Sequence, residues 1–378
     1  MEYQTIEYKE LSVRVQLSVF EGTGANEYHA TVTNCNNALD AETQYRHIAQ
    51  ALSAVQAALP ANAALVLKRY FVSDAVNQAS LLPKEEGVAI SIVQQPPLNG
   101  SKVSVWAYWV GDAIVRPNGE KAVVAERPAY KHLFNMQLHN GNDDAFAQTE
   151  QIFQTYGQAL AARRLSLKDN ALRTWIYVQG VDIHYAGMVK ARRLYFREQG
   201  LTEHTHYLAS TGIEGRYLHP ETLVSMDAYA VEGIAPGQIS YLKGATHLSP
   251  THHYGVTFER ATAVDYGDRR HVFVSGTASI DHRGEIVFPF NVDRQMERTL
   301  ENIGVLLAEG GCEMHDVAHL IVYLRDTADY HRVSSYLSAH YPDIPAVVVW
   351  APVCRPGWLV EIECMAVKAV ENSRFAAF

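Results

Sequence analysis

From Trp358 to Val367 the chain alternates in character. Trp358, Val360, Ile362, Cys364 and Ala366 fall on one side of an extended backbone, and Leu359, Glu361, Glu363, Met365 and Val367 on the other. That period of two is a β-strand signal. The first face is wholly apolar. The second sets two carboxylates among Leu359, Met365 and Val367, which argue that it too is covered. Carboxyls about 7 Å apart on one strand face raise each other's pKa when both are desolvated. A solvent-facing strand is the plainer alternative. Elsewhere the period is helical. Met296, Leu300, Ile303 and Leu307 follow Asn291, an N-cap residue, and the pattern stops at Gly310-Gly311. Further helices are expected over 41–59 and 144–164, and after the inner strands over 75–82, 182–199 and 328–341. Paired β-like runs precede the first helix of each set, the clearest being 258–264 and 271–280, joined by Tyr266-Gly267-Asp268.

These elements recur. Residues 359–367 align with Leu-Val-Ser-Met-Asp-Ala-Tyr-Ala-Val at 223–231, and more loosely with 102–110. Residues 317–326 match 171–180 and resemble 64–73. Such internal repetition predicts three copies of one β-β-α-β-α-β-β unit, an α+β fold with helices on one face of each sheet. The boundaries fall near Gly111-Asp112 and Gly233-Ile234, giving units 1–110, 111–233 and 234–378. Residues 237–257 read as a long irregular segment rich in His and Pro, a length that favours a functional role. The copies also provide an internal control. Where the third has Glu361, the second has Ser225 and the first Ser104. Where it has Glu363, they have Asp227 and Trp106; where it has Arg325, Gln179 and Ser73. The fold therefore does not require Glu361, which points to chemistry. Glu363 reads as structural, since an acid persists in the second copy.

Composition narrows the function. Over 378 residues the net charge is −9 and 48% of positions are hydrophobic. That argues against nucleic acid as the main partner, which would need a basic stripe, and weakens an endoribonuclease reading with it. Cys35, Cys312, Cys354 and Cys364 show no CxxC spacing, as expected of reduced thiols in a cytoplasmic protein. Neither a signal peptide nor an apolar run long enough for a membrane span is evident. Cys312, His315 and His319 are spaced like metal ligands, but they fall on a helix end and a strand and lack a fourth partner, so no metal is expected. Dinucleotide and phosphate loops and the nucleophile elbow are absent, and no cofactor is expected.

The third copy, 258–368, resembles the Rid superfamily (YjgF, RidA, endoribonuclease L-PSP). The residues that carry this are Val274-Ser-Gly-Thr277, the helix ending at Gly310-Gly311, Ile321-Val-Tyr-Leu-Arg-Asp326, Ile344-Pro-Ala346 and Val360-Glu-Ile-Glu363. The resemblance implies a chorismate-mutase-like fold, trimers with ligand clefts between neighbours, and here a trimer imitated within one chain, with further self-association open. The stretch 173–367 is similar to the chorismatase branch, through Ser275-Gly-Thr-Ala-Ser279, Phe258-Glu-Arg260-Ala261 and Val353-Cys-Arg355 running into Leu359-Val-Glu361. In the deaminase branch an arginine follows the Pro-Ala pair; here Val347 stands there. The chorismatase pattern has an arginine ahead of Phe-x-Arg; here the neighbourhood is Thr251-His-His253-Tyr-Gly255.

Taken together, Glu361 is expected to be a desolvated acid that donates a proton to a leaving oxygen or an enamine carbon. Arg355 would fork onto a carboxylate, or else lie exposed beside Pro356-Gly357. Cys354 would be a small wall residue or a thiol of lowered pKa. Backbone N–H groups of Gly276, Thr277 and Ala278 would bind an anion, or else the glycine would serve close packing. His252 would take the place of the missing arginine, and the resemblance adds Arg260 to the substrate-binding set. Ala209-Ser-Thr-Gly212 of the second copy would line the neighbouring cleft. The leading function is cofactor-free acid/base chemistry on a small carboxylate metabolite, chorismatase-like cleavage in its sharpest form. The alternatives are an enamine/imine deaminase and a non-catalytic ligand-binding or regulatory module.

Overall fold

A computed structural model describes residues 1–119 and 121–378. The chain builds three mixed six-stranded sheets. The first unit contains β1 (Glu2–Tyr8), β2 (Val13–Phe20), β3 (Glu27–Asn34), α1 (Ala41–Ala58), β4 (Ala63–Val72), β5 (Ala89–Gln94) and β6 (Val103–Gly111). The second contains β7 (Ile114–Pro117), β8 (Ala122–Glu126), β9 (Lys131–Leu138), α2 (Ala145–Ala161), the single turn α3 (Leu167–Asn170), β10 (Ala171–Val178), α4 (Val181–Glu198), β11 (Ala209–Glu214) and β12 (Val224–Glu232). The third contains β13 (Ile239–Leu242), β14 (Ala261–Asp265), β15 (Arg269–Ala278), α5 (Val292–Glu309), β16 (Val317–Leu324), α6 (Tyr330–His340), β17 (Ala346–Trp350) and β18 (Val360–Ala369). The sheet orders are β1-β2-β3-β6-β4-β5, β7-β8-β9-β12-β10-β11 and β13-β14-β15-β18-β16-β17. They are one topology repeated, and the fold is the tripled α+β arrangement that the repeats predict.

Helix α5 buries the expected stripe of Met296, Leu300, Ile303 and Leu307, and the Asn291 side chain caps it by accepting from the Arg294 N–H. The long helices cover one face of each sheet. On the other side the sheets meet in a ring: β5 packs on β9, β11 on β15 and β17 on β3. The interior of that ring is partly ionic. Arg69 on β4 reaches Asp227 on β12 at 3.1 Å and Glu363 on β18 at 3.8 Å. Arg173 on β10 binds Glu363 at 2.8 Å. Arg269 and His271 on β15 hold Glu27 on β3 at 2.7 and 2.8 Å. Each of these pairs joins two units. Removing one partner of a buried pair leaves an uncompensated charge, so Arg69→Met is expected to cost about 3–5 kcal/mol, read by urea unfolding.

Three expectations need correction. Each unit opens with three strands rather than two, because short edge strands (β1, β7, β13) precede the pair read from the sequence. The first unit lacks its second helix. Residues 75–82 supply only a turn at Ala79–Leu81, and Pro83 bars its extension. Residues 237–257 are not wholly irregular: they hold β13 and a helical turn at Thr251–Tyr254. Among the described residues no helix is long and apolar enough to cross a membrane.

Candidate active site

Glu361 lies on β18, opposite Ala278 of β15 and Tyr323 of β16. The β15–β18 ladder is irregular between Val274 and Thr277, and this bulge brings Gly276 under the Glu361 carboxyl. A Cβ at Gly276 would stand 2.1 Å from Glu361 Oε1, so the glycine is the space the carboxyl occupies. Gly276→Ala is expected to expel that carboxyl and to lower stability by about 1–3 kcal/mol, measured by thermal melting alongside activity. The Ser-Gly-Thr run also stitches two units together. Ser275 Oγ accepts from the Ser210 N–H at 2.9 Å and donates to the Glu259 carbonyl at 2.6 Å. The Gly276 N–H donates to Thr211 Oγ1 at 2.9 Å.

Around Glu361 is a cavity of about 210 Å³ between the second and third units. The side chain is only 5% exposed. Burial, and then the charge of Glu363, push its pKa up from 4.5 to about 8, against the opposing pull of Arg173 and Arg260. At neutral pH the group is an acid that carries its proton.

Three arginines share the cavity with it. Arg260, 5% exposed, spends its Nε and Nη2 on the Ser249 carbonyl at 3.2 and 2.9 Å. Arg355 donates to the Gly284 carbonyl at 3.0 Å and lies over the rings of Tyr254 and Trp358, at 4.4 and 4.8 Å. Arg192, on α4 of the second unit, is 1% exposed. Its Nε reaches Thr257 Oγ1 at 3.2 Å and its Nη1 reaches Ser210 Oγ at 3.4 Å, while its buried Nη2 has no partner among the described residues. Burial lowers the pKa of Arg192 and Arg260. The buried arginines elsewhere, Arg69, Arg173 and Arg269, each sit against a carboxylate. No described carboxylate forms an ion pair with Arg192, Arg260 or Arg355.

Cys354 lines the cavity, but burial and the nearby Glu361 push its thiol up to about 12, so it is a neutral wall and not an activated nucleophile. Ala278 lines the wall, as do Ser210 and Gly212 of β11. Thr277 does not; its hydroxyl donates to the Ser275 carbonyl at 2.9 Å. The Gly276 N–H, held by Thr211, is not free to bind an anion. His252 is exposed and lines neighbouring surface clefts instead of this cavity, and Tyr254, two residues on, takes the wall position. Sequence reasoning missed Arg192 and Tyr185, both on α4. The signal was present, since Tyr185, Met188, Arg192 and Phe196 share one helical face and an arginine on such a stripe is anomalous. Tyr185 interacts with both Cys354 and Arg192, and its phenol is pushed up by burial.

Val347 belongs to a different cleft. It lines a groove of about 370 Å³ between the third and first units, beside Ser104. Val347 pairs with Ile321 on β17–β16 as Thr211 pairs with Trp175 on β11–β10. The residue at the corresponding place in the Glu361 cleft is therefore Thr211, and Val347 says nothing about chemistry at Glu361.

Residues 258–368 match the family model described as endoribonuclease L-PSP. A RutC family protein of Pyrococcus abyssi is 33% identical over 100 residues, covering 26% of this chain and 78% of the relative. A 2-iminobutanoate/2-iminopropanoate deaminase of Mus musculus is 27% identical over 113 residues, 29% of this chain and 81% of the relative. The chain belongs to the Rid superfamily. A crystal structure of a chorismatase superposes with a TM-score of 0.65 at 20% identity, covering 80% of this chain and 92% of the other. That likeness extends the shared fold across the repeated units.

Proposed function

We propose that this protein is a cofactor-free acid/base enzyme acting on a small dicarboxylate, with chorismatase-like cleavage as its sharpest form. One observation carries the reading. Arg192 and Arg260 are buried cations without a carboxylate, in the same cavity as a protonated Glu361. Burying an unpaired charge is costly, and a dianionic ligand removes the cost. Tyr254, Phe258 and Trp358 offer flat apolar walls to a ring. On an enol ether such as that of chorismate, Glu361 would protonate the methylene carbon. Water would then add to the resulting oxocarbenium carbon and return one proton to Glu361; collapse of the hemiketal, with its hydroxyl proton passing to the departing ring oxygen, would release pyruvate and the ring alcohol. The arginines would hold the carboxylates.

The deaminase relative supports a second reading, because protonation of an enamine carbon asks the same of Glu361. Incubation with chorismate and with 2-aminoacrylate, following pyruvate and ammonia, separates the two. Pyruvate from chorismate supports cleavage, and ammonia from the enamine supports deamination. Tight binding of a dicarboxylate without turnover of either supports a binding module. Failure to bind any carboxylate overturns all three. The three units are proposed to act as one intramolecular trimer in which only the second and third contribute to the cavity walls.

A further inference from the structure

Glu361 is not isolated from the ionic interior of the ring. Two residues along β18, Glu363 accepts from Trp175 Nε1 at 2.7 Å, from Arg173 Nη2 at 2.8 Å and from Thr211 Oγ1 at 2.5 Å. Arg69 of the first unit stands 3.8 Å away. The same Thr211 hydroxyl accepts the N–H of Gly276, the residue whose missing Cβ leaves room for the Glu361 carboxyl. A continuous chain therefore runs from Arg69 and Arg173, through Glu363 and Thr211, to the floor under Glu361.

We propose that Glu363 is the positioning residue of this site: clamped by arginines of the first and second units, it governs the proton on Glu361, and through Thr211 it fixes the floor on which that acid rests. The inference rests on Glu361 being the working acid. It explains why the third unit carries two acids on one strand face where the first carries none. It also gives the first unit, which contributes nothing to the cavity wall, a bearing on the chemistry. A buried carboxylate is a strong anchor for its neighbour's proton, since like charges at this spacing in a desolvated site resist joint ionisation. The other charged or titratable groups facing Glu361 are Arg173 on β10, Tyr323 on β16, Tyr254 and Arg260 before β14, Tyr185 and Arg192 on α4, and Cys354 and Arg355 between β17 and β18. Apart from Glu363, the ionised groups in this set are cations, which oppose protonation of Glu361. The four neutral groups, Tyr185, Tyr254, Tyr323 and Cys354, are themselves pushed toward their protonated forms.

The test needs no substrate, so it stands apart from the identity of the reaction. The whole chain is labelled with glutamate carrying carboxyl carbon-13, and the Glu361 resonance is assigned by its loss in Glu361→Gln. Its titration is then followed in wild type, Glu363→Gln and Glu363→Asp. The expected result is a midpoint that falls by about one pH unit or more in Glu363→Gln and stays near the wild-type value in Glu363→Asp, which retains the charge. If Glu363→Gln does not fold, the pair Glu363→Gln/Arg173→Gln removes both charges. Because Glu363 acts on Glu361 more strongly than Arg173 does, the midpoint should still fall. A midpoint within about 0.3 unit of wild type in a folded charge-removing variant overturns the proposal and leaves Glu363 a packing residue.

Discussion

Glu361→Gln is expected to abolish the carbon protonation proposed for this site, lowering turnover of an accepted substrate by about 10²–10⁴-fold, while a carboxylate ligand still binds within a few-fold of wild type. Gln fills the same space beside Gly276 but has no proton to give. Stopped-flow turnover and calorimetric titration separate the two effects, and loss of binding together with turnover would assign Glu361 to substrate recognition. The same substitution should stabilise the fold. The Glu361 carboxyl titrates near 4.5 in the unfolded chain and near 8 in the folded one. Between those values the native state binds the proton that the unfolded state has released. Stability is therefore lost as pH rises through this window, by at most about 5 kcal/mol. Glu361→Gln does not titrate. Its advantage in melting temperature over wild type should be small at pH 4.5 and largest above pH 8. Wild-type turnover should decline over the upper part of that range, as the acid loses its proton.

Arg192→Met carries the second large effect. In the free protein Arg192 is a fully buried cation with no carboxylate and one unsatisfied nitrogen. Replacing it with an apolar side chain of similar length should raise stability, by about 1–4 kcal/mol on the scale of other buried-charge replacements. It should also weaken dicarboxylate binding by about 2–5 kcal/mol, the range for losing one partner of a desolvated charge pair. Thermal melting with and without ligand measures both at once. The variant should melt higher than wild type when empty, and ligand should raise its melting temperature less. A variant that melts lower when empty would show that Arg192 has a structural partner, and the case for a ligand-supplied counter-charge would fail.

How far the sequence reached follows from what each residue has near it along the chain. The alternation on β18 was legible because a strand's period is local, and the acid at 361 stood out because the two sister copies carry serine there. The stripe on α5 and its Asn291 cap were legible for the same reason. His252 was misplaced because the choice between it and Tyr254 depends on how a short helical turn rolls against Arg260 and Arg355. The cleft that Val347 lines was not legible, because strand register within a unit does not say which neighbouring unit an edge strand will face.

The order of residues along the chain was enough for the threefold repetition, the strand that carries the acid and the family. All of these rest on periodicity and on motifs contiguous in the chain. The tertiary structure alone decided the site's charge. Arg192 arrives from another unit, Glu363 is clamped by arginines of the two other units, and the glycine at 276 acquires its meaning from a carboxyl on a different strand. These are contacts between residues far apart in sequence, in a desolvated interior where a few ångströms of approach set whether a carboxyl keeps its proton. No pattern along the chain encodes that distance.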